Sequence, residues 1–189
     1  MSTKQLYFVS SNMNKFFELR ALIRGDVRID AKSVEVPEIQ SLDVAEVARD
    51  KAEKAYKLVR MPLIVEDTGL YIKALGGFPG ALVKWILRPD GADKGNRRIC
   101  GMVPDADRRA YSETAIAFCD GGSLKVFTGR TYGTISKAPE GGLDFGWGPV
   151  FIPRGHDLTF GQMGTISKNK VSSRGKAAEK LNRYLAGKQ

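Results

Sequence analysis

The segment Leu42–Arg60 carries Val44, Val47, Ala48, Ala55 and Leu58 at a spacing that gathers them into one narrow arc of a helix turning about 100° per residue. Asp43 and Glu46 stand in capping-box spacing at its start. Pro62 separates it from a short apolar run, Leu63–Val65, which reads as a buried strand. A helix with one apolar stripe must bury it against another element, and the strand that follows is the first candidate for that layer. Lys51 falls in the middle of the apolar arc. There it is either a snorkelling side chain or an ammonium aimed into a cleft.

The flanking segments supply the layers. Gln5–Ser10 is an expected strand, after which Asn12 caps a helix to about Arg24 with Phe16, Leu19 and Ile23 as its stripe and Gly25 as its stop. Val27–Val34 is a second strand. Ala81–Leu87, entered through the turn GGFPG, and Asp93–Met102 are expected helices. Ala110–Phe118 and Leu124–Ile135 form a hairpin through DGGS, and Pro149–Ile152 is a short strand. Ser172 or Ser173 caps a last helix to about Ala186. Parallel-type and hairpin-type connections both occur, so the expected fold is α/β with a mixed sheet, in one domain over 1–189 with two lobes at most.

No stretch approaches the roughly 20 apolar residues of a membrane span. The opening MSTKQLYFVSSN lacks the apolar length and the cleavage site of a signal peptide, so a cytoplasmic location is expected. Cys100 and Cys119 form neither a CxxC nor a metal-ligand spacing and are expected to be reduced, their separation in space being open. The net charge of +9 favours an anionic partner: a nucleotide, a nucleic acid or an acidic surface. With His156 as the single histidine, a His-rich metal site is excluded. Chemistry at neutral pH then falls to carboxylates, lysines, arginines and a hard ion such as Mg²⁺.

Four stretches have the residue types for chemistry. In VSSNMNK a strand enters a loop of Ser10, Ser11 and Asn12 before a helix N-terminus, where free N–H groups and the helix dipole attract phosphate, with Lys15 adding a point charge. Ordinary helix capping explains the same residues. In VEDTG, Glu66 and Asp67 are expected at the end of strand Leu63–Val65. Strand alternation sends them to opposite faces, leaving Asp67, nearer the loop, as the metal ligand or base and Glu66 as a supporting group. In LDFGWGPVFIP, Phe145 and Trp147 could sandwich a planar base or plug a core edge. In ISKNKVSSRGKA, Lys168, Lys170, Arg174 and Lys176 surround a Ser-capped helix start, which is a second anion site or a solvated basic face. Taken together they describe a nucleoside triphosphate site.

The ordered set SSNMNKFFE, VPEIQS, ARDKA, VEDTGL–ALGGFPG–KW, FGWGPVFIP and SKNKVSSRGKA resembles the inosine triphosphate pyrophosphatase (Ham1-like) family over nearly the whole chain. The resemblance implies a long mixed sheet with helices forming two lobes around a nucleotide-binding cleft, and a homodimer. It implies Mg²⁺-dependent hydrolysis of ITP, dITP and XTP to the monophosphate and pyrophosphate by water attack on the α-phosphorus. By the same resemblance Ser10, Ser11, Asn12, Met13, Asn14 and Lys15 hold the triphosphate. Glu38 and Asp67 handle the metal, and Asp67 accepts the proton. Lys51, Thr68 and Lys84 contact the nucleotide, and Phe145, Gly146, Trp147, Gly148, Lys168, Ser173 and Arg174 bind the base. Two positions depart from the family pattern: Gly148 stands in GWGP where GWDP is usual, and Ser173 in SSR where SHR is usual. Both belong to the base end, so base selectivity is the property they put in question. Gln162 also replaces an acid common in the family, with no role attached to it. Two alternatives stand beside this reading. One is the Maf-like pyrophosphatases, with a different base preference, against which GGFPG and FGWGP argue. The other is a basic nucleic-acid-binding protein without catalysis, against which the interleaving of acids with the basic residues argues.

Overall fold

The computed structural model describes residues 4–89, 91–142 and 146–187. Phe145, expected at the base end, lies outside the described residues. In chain order the elements are β1 (Lys4–Val9), α1 (Met13–Arg20), β2 (Val27–Lys32), α2 (Val44–Val59), β3 (Leu63–Ile72) and β4 (Pro79–Gly80). They continue with α3 (Val83–Leu87), α4 (Ala92–Met102), β5 (Arg109–Cys119), β6 (Leu124–Ile135), β7 (Phe151–Pro153), α5 (Thr165–Val171) and α6 (Ser173–Leu185). The strands form one sheet in the order β2-β1-β3-β5-β6-β7, with β4 on β3. β1 is parallel to β2 and β3, and the other pairs are antiparallel. The mixed α/β sheet is the expected one.

Period-2 alternation along β3 sorts the cores. Leu63 and Val65 face α2, whose Val44, Val47, Ala48, Ala52, Ala55 and Val59 also meet Val9, Ala115 and Ala117. Ile64 faces the other side, where α1 and α6 bring Phe16, Leu19, Ala177, Ala178 and Leu181 against Leu6, Phe8, Ile116 and Phe118. A third cluster lies farther along β3, where Leu70 and Ile72 join Val83, Ile99, Ala110, Ile135, Val150 and Phe151. The backbone of α6 sits directly on the sheet: a Cβ on Gly129 would lie 2.1 Å from the carbonyl oxygen of Ser173.

Several expectations need correction. The strand does not end at Val65. β3 runs on to Ile72 and pairs with β5 throughout, Glu66 opposite Ile116 and Asp67 opposite Ala115. The residues EDTG look like a strand end because acids and glycine are poor strand formers, but unbroken pairing with β5 overrides that preference. Gly69 is required inside the strand, since a Cβ there would lie 2.8 Å from the Tyr71 ring and 2.9 Å from the Gly80 backbone as β4 folds back. On α2, Leu58 is exposed, and Ala52 and Val59 take the buried stripe. α1 stops at Arg20, before Arg24, as the N–H groups of both Leu22 and Ile23 turn to the Leu19 carbonyl. The segment Pro149–Ile152 splits between a 3-10 turn, Gly148–Val150, and β7. Residues 165–171 form α5, which hydrophobic periodicity did not reveal. Both cysteines are buried free thiols. Among the described residues no helix is long and apolar enough to cross a membrane.

Candidate active site

Alternation along β3 also sorts the acids. Asp67 shares the parity of Leu63 and Val65 and so faces the α2 side, where Lys51 projects from the middle of the helix. Lys51 keeps only 14% of its side chain exposed and pairs with Glu38 at 2.8 Å. Glu38, from the connection before α2, also pairs with Lys84 of α3. Asp67 itself is 8% exposed, and its Oδ2 is buried without a hydrogen-bond partner. Burial pushes its carboxyl above the usual aspartate range; Lys15 and Lys51 pull it back and Glu66 adds to the rise. Burial likewise lowers the Lys51 ammonium, while Asp67 and Glu66 hold it up. Lys84 is lowered by burial and by the neighbouring Arg88 and Lys15. Glu38, Lys51, Asp67 and Lys84 are therefore one cluster, and Lys51 is no ordinary snorkelling lysine.

Glu66 faces the α1 and α6 side with a side chain that is 0% exposed. It accepts two hydrogen bonds from Arg174, from Nε and Nη2, each 2.8 Å long. Lys15 approaches the same carboxylate at 3.6 Å. Burial alone would raise Glu66, but Arg174 and Lys15 outweigh it and hold it below the usual glutamate range. Arg174 also donates to Glu18 of α1, which pairs with Lys168 of α5 at 2.8 Å. One buried carboxylate thus ties the N-terminal turn of α1 to the start of α6. Thr68 donates to Glu66 at 3.0 Å and lies 3.1 Å from the Thr114 hydroxyl.

The α1 entrance is built as a helix start should be. Ser10 Oγ accepts from the Asn12 N–H at 3.0 Å, and Asn12 Oδ1 accepts from the Lys15 N–H at 3.2 Å. Ser11 and Met13 are exposed beside it. Ser172, rather than Ser173, caps α6, accepting from the Gly175 N–H at 3.1 Å. The Ser173 hydroxyl is turned into the sheet, 2.9 Å from Thr114 and 3.2 Å from Ser112, and the residue is 3% exposed. In this geometry the hydroxyl of Ser173, a residue the resemblance places at the base end, is engaged with the sheet. Its burial follows from the close seat of α6 on Gly129. Trp147 packs edge-on against Phe151 at the third core cluster, centroids 5.7 Å apart, and remains half-buried with Gly146 and Gly148. Gly148 is open: a Cβ there would meet its nearest neighbours at 3.6 Å, an ordinary contact.

Hard oxygen ligands suit Mg²⁺, which commonly takes one or two carboxylates and completes its shell with water and phosphate oxygens. The partnerless buried Oδ2 of Asp67 is such an oxygen, and Glu38 is the carboxylate that shares Lys51 with it. Among the described residues no group of three or more His, Cys, Asp or Glu side chains forms a self-contained metal cage. The donors present, two carboxylates, fit a hard ion that completes its shell with water and ligand oxygens. Sequence reasoning missed Glu18, although its place three residues after Lys15 puts both on one face of α1. Its partners, Lys168 and Arg174, are far away in sequence, so nothing local marks it.

The sequence model of the Ham1 family matches residues 6–184. A relative from Hyperthermus butylicus named dITP/XTP pyrophosphatase is 37% identical over 187 residues, 98% of this chain and 96% of that protein. One from Aspergillus fumigatus named inosine triphosphate pyrophosphatase is 40% identical over 185 residues, 97% of this chain and 95% of that protein. Among solved structures, a HAM1 protein from Coxiella burnetii superposes with a TM-score of 0.83 at 27% identity, covering 97% of this chain and 99% of that one. The Ham1 protein of Staphylococcus aureus superposes with a TM-score of 0.81 at 27% identity, covering 97% and 99%. In sequence and in fold, this chain belongs to the Ham1 family.

Proposed function

We propose that the protein hydrolyses non-standard purine nucleoside triphosphates, ITP, dITP and XTP, to the monophosphate and pyrophosphate. The observation that carries this reading is Asp67: a buried carboxylate with a free oxygen, flanked by Lys51 and Lys15 at the entrance of α1. The names of the relatives point to the same substrates.

In this reading the N-terminus of α1, from Ser10 to Lys15, takes the triphosphate together with Lys51, Thr68 and Lys84. Positive groups must neutralise the phosphates before a nucleophile can approach. Asp67 and Glu38 would hold Mg²⁺, which when bound supplies charge neutralisation and a more acidic water. Asp67 also orients the attacking water and takes its proton. In the metal-free protein burial already lifts its carboxyl above the ordinary aspartate range. Glu66 does not act on substrate. It holds Lys15 and Arg174 in place.

In this reading the base lies against Trp147 and the Gly146–Gly148 turn, and Lys168 and Arg174 reach it by releasing Glu18, which holds both in this structure. A 6-oxo group and N7 are the features an arginine reads, which favours hypoxanthine and xanthine over adenine. With Gly148 bare and the Ser173 hydroxyl turned away, we place no group at the 2-amino edge and expect guanine to be accepted as well. The family resemblance adds one two-lobed domain, a homodimer and a cytoplasmic location to the proposal.

The test is product analysis with Mg²⁺ and a panel of ITP, XTP, GTP and ATP. Pyrophosphate release from ITP and XTP, slower from ATP, is expected. Orthophosphate as the main product, or no turnover of any purine triphosphate, contradicts the proposal.

A further inference from the structure

α4 brings a fully buried polar side chain to the back of the Gly146–Gly148 turn. Asn96 is 0% exposed. Its Nδ2 donates to the Gly146 carbonyl at 2.9 Å, while its Oδ1 is buried without a partner. A flipped amide would set oxygen against oxygen, so the acceptor it meets fixes the orientation. Burying an amide with an unused acceptor costs stability, and a leucine of similar volume would fill the space without that cost. Stability alone does not account for an asparagine here.

The rest of the turn has other anchors. The Trp147 ring rests on Phe151 and Phe160, the Val150 N–H donates to the Trp147 carbonyl at 3.1 Å, and the Gly161 N–H donates to the Gly148 carbonyl at 3.0 Å. Gly146 sits at a φ of +67° with nothing within 4 Å of where its Cβ would be, so packing around it does not define its position. α4 is in turn pressed against α3: a Cβ on Gly95 would lie 2.6 Å from Leu87 Cα and 2.9 Å from the Ile86 carbonyl. α3 carries Lys84. α4 therefore connects the helix that carries Lys84 to the turn.

We infer that Asn96 is a positioning residue for base recognition. It fixes the Gly146 carbonyl, and through it the Trp147–Gly148 turn, at a set distance from the helix that carries Lys84. The inference rests on the reading that this turn meets the purine base. It concerns affinity for the base and leaves the chemistry at phosphorus untouched.

The experiment compares Asn96→Leu and Asn96→Asp with the wild type. Asn96→Leu removes the donor at similar volume, and Asn96→Asp replaces the donor with a carboxylate. Each is assayed with ITP and with inorganic tripolyphosphate, which has the phosphates and no base, as inhibitor. We expect KM for ITP to rise about 5–10-fold, the scale of one hydrogen bond, with kcat within about twofold. The tripolyphosphate inhibition constant stays unchanged, and Asn96→Leu melts at or above the wild-type temperature. An unchanged KM for ITP in both variants overturns the inference. So does a KM that rises together with the tripolyphosphate constant in a protein that melts earlier, since that marks a general structural role. A wild type that cleaves no purine triphosphate removes the reading of the site and this inference with it. An active wild type with unaffected variants removes the inference alone.

Discussion

Replacing Glu66 by glutamine removes one charge and almost no volume. That charge lies 2.8 Å from two nitrogens of Arg174 and 3.6 Å from Lys15 Nζ, in a side chain that is 0% exposed. At an effective dielectric of ~20, a pair of unit charges 4 Å apart is worth ~4 kcal/mol. Two features reduce the loss. The glutamine oxygen still accepts one of the two guanidinium bonds, and Glu18 remains against Arg174. The expected cost is about 2–3 kcal/mol, below the ~3–5 kcal/mol of stripping a buried charge of its partner. At ~2–4 °C per kcal/mol for a chain of this size, the melting midpoint falls by about 4–12 °C. Glu113→Gln is the internal comparison. Glu113 holds Arg130 at the same 2.8 Å, but Arg130 is 42% exposed, so screening leaves only ~0–1 kcal/mol. Calorimetry at pH 7 on the three proteins decides the matter. If Glu66→Gln and Glu113→Gln melt within about 1 °C of each other, the reasoning that Glu66 ties α1 to α6 is wrong.

Asp67→Asn should lower kcat by roughly 10²–10⁴-fold while the protein stays folded, as checked by pyrophosphate release and circular dichroism. Carboxyl titration by NMR in the metal-free protein should place Glu66 below its usual 4.5 and Asp67 above its usual 3.8. The signs for stability are opposite: Glu66 contributes stability that is present above pH 4.5 and lost as pH falls through its lowered value. Asp67 favours the fold below pH 3.8, and that contribution is lost as pH rises through its raised value. Gly148→Asp should fold normally, since its Cβ makes only 3.6 Å contacts. Its carboxylate can accept from the N1–H of a 6-oxopurine, which adenine lacks, so kcat/KM for ITP over ATP should rise about tenfold or more.

The elements were legible where hydrophobic period and capping agree. The hairpin strand Leu124–Ile135 has the expected bounds, and Asn12 and Asp43 are the caps of α1 and α2. Lys51 was visible as a misplaced charge because a helix stripe allows one residue to be compared with its neighbours. β3 was cut short because local composition does not report pairing with β5, which lies more than forty residues on at Asp67 and Ala115. The split of the two acids was nevertheless readable, because alternation holds wherever the strand ends. The partners of Glu66 were not: Arg174 and Glu18 meet only when α1 and α6 close on one face of the sheet. Ser173 shows the same limit in reverse, a residue placed at the base end by motif and turned away by the seat of α6.

The most direct test of the central claim is a single turnover of ITP with Mg²⁺ in oxygen-18 water, with the products separated and weighed by mass spectrometry. Attack at the α-phosphorus puts one heavy oxygen in the monophosphate and none in the pyrophosphate, and that is the expected result. Label in the pyrophosphate, or in released orthophosphate, would mean that water attacks elsewhere and that Asp67 does not serve the chemistry assigned to it.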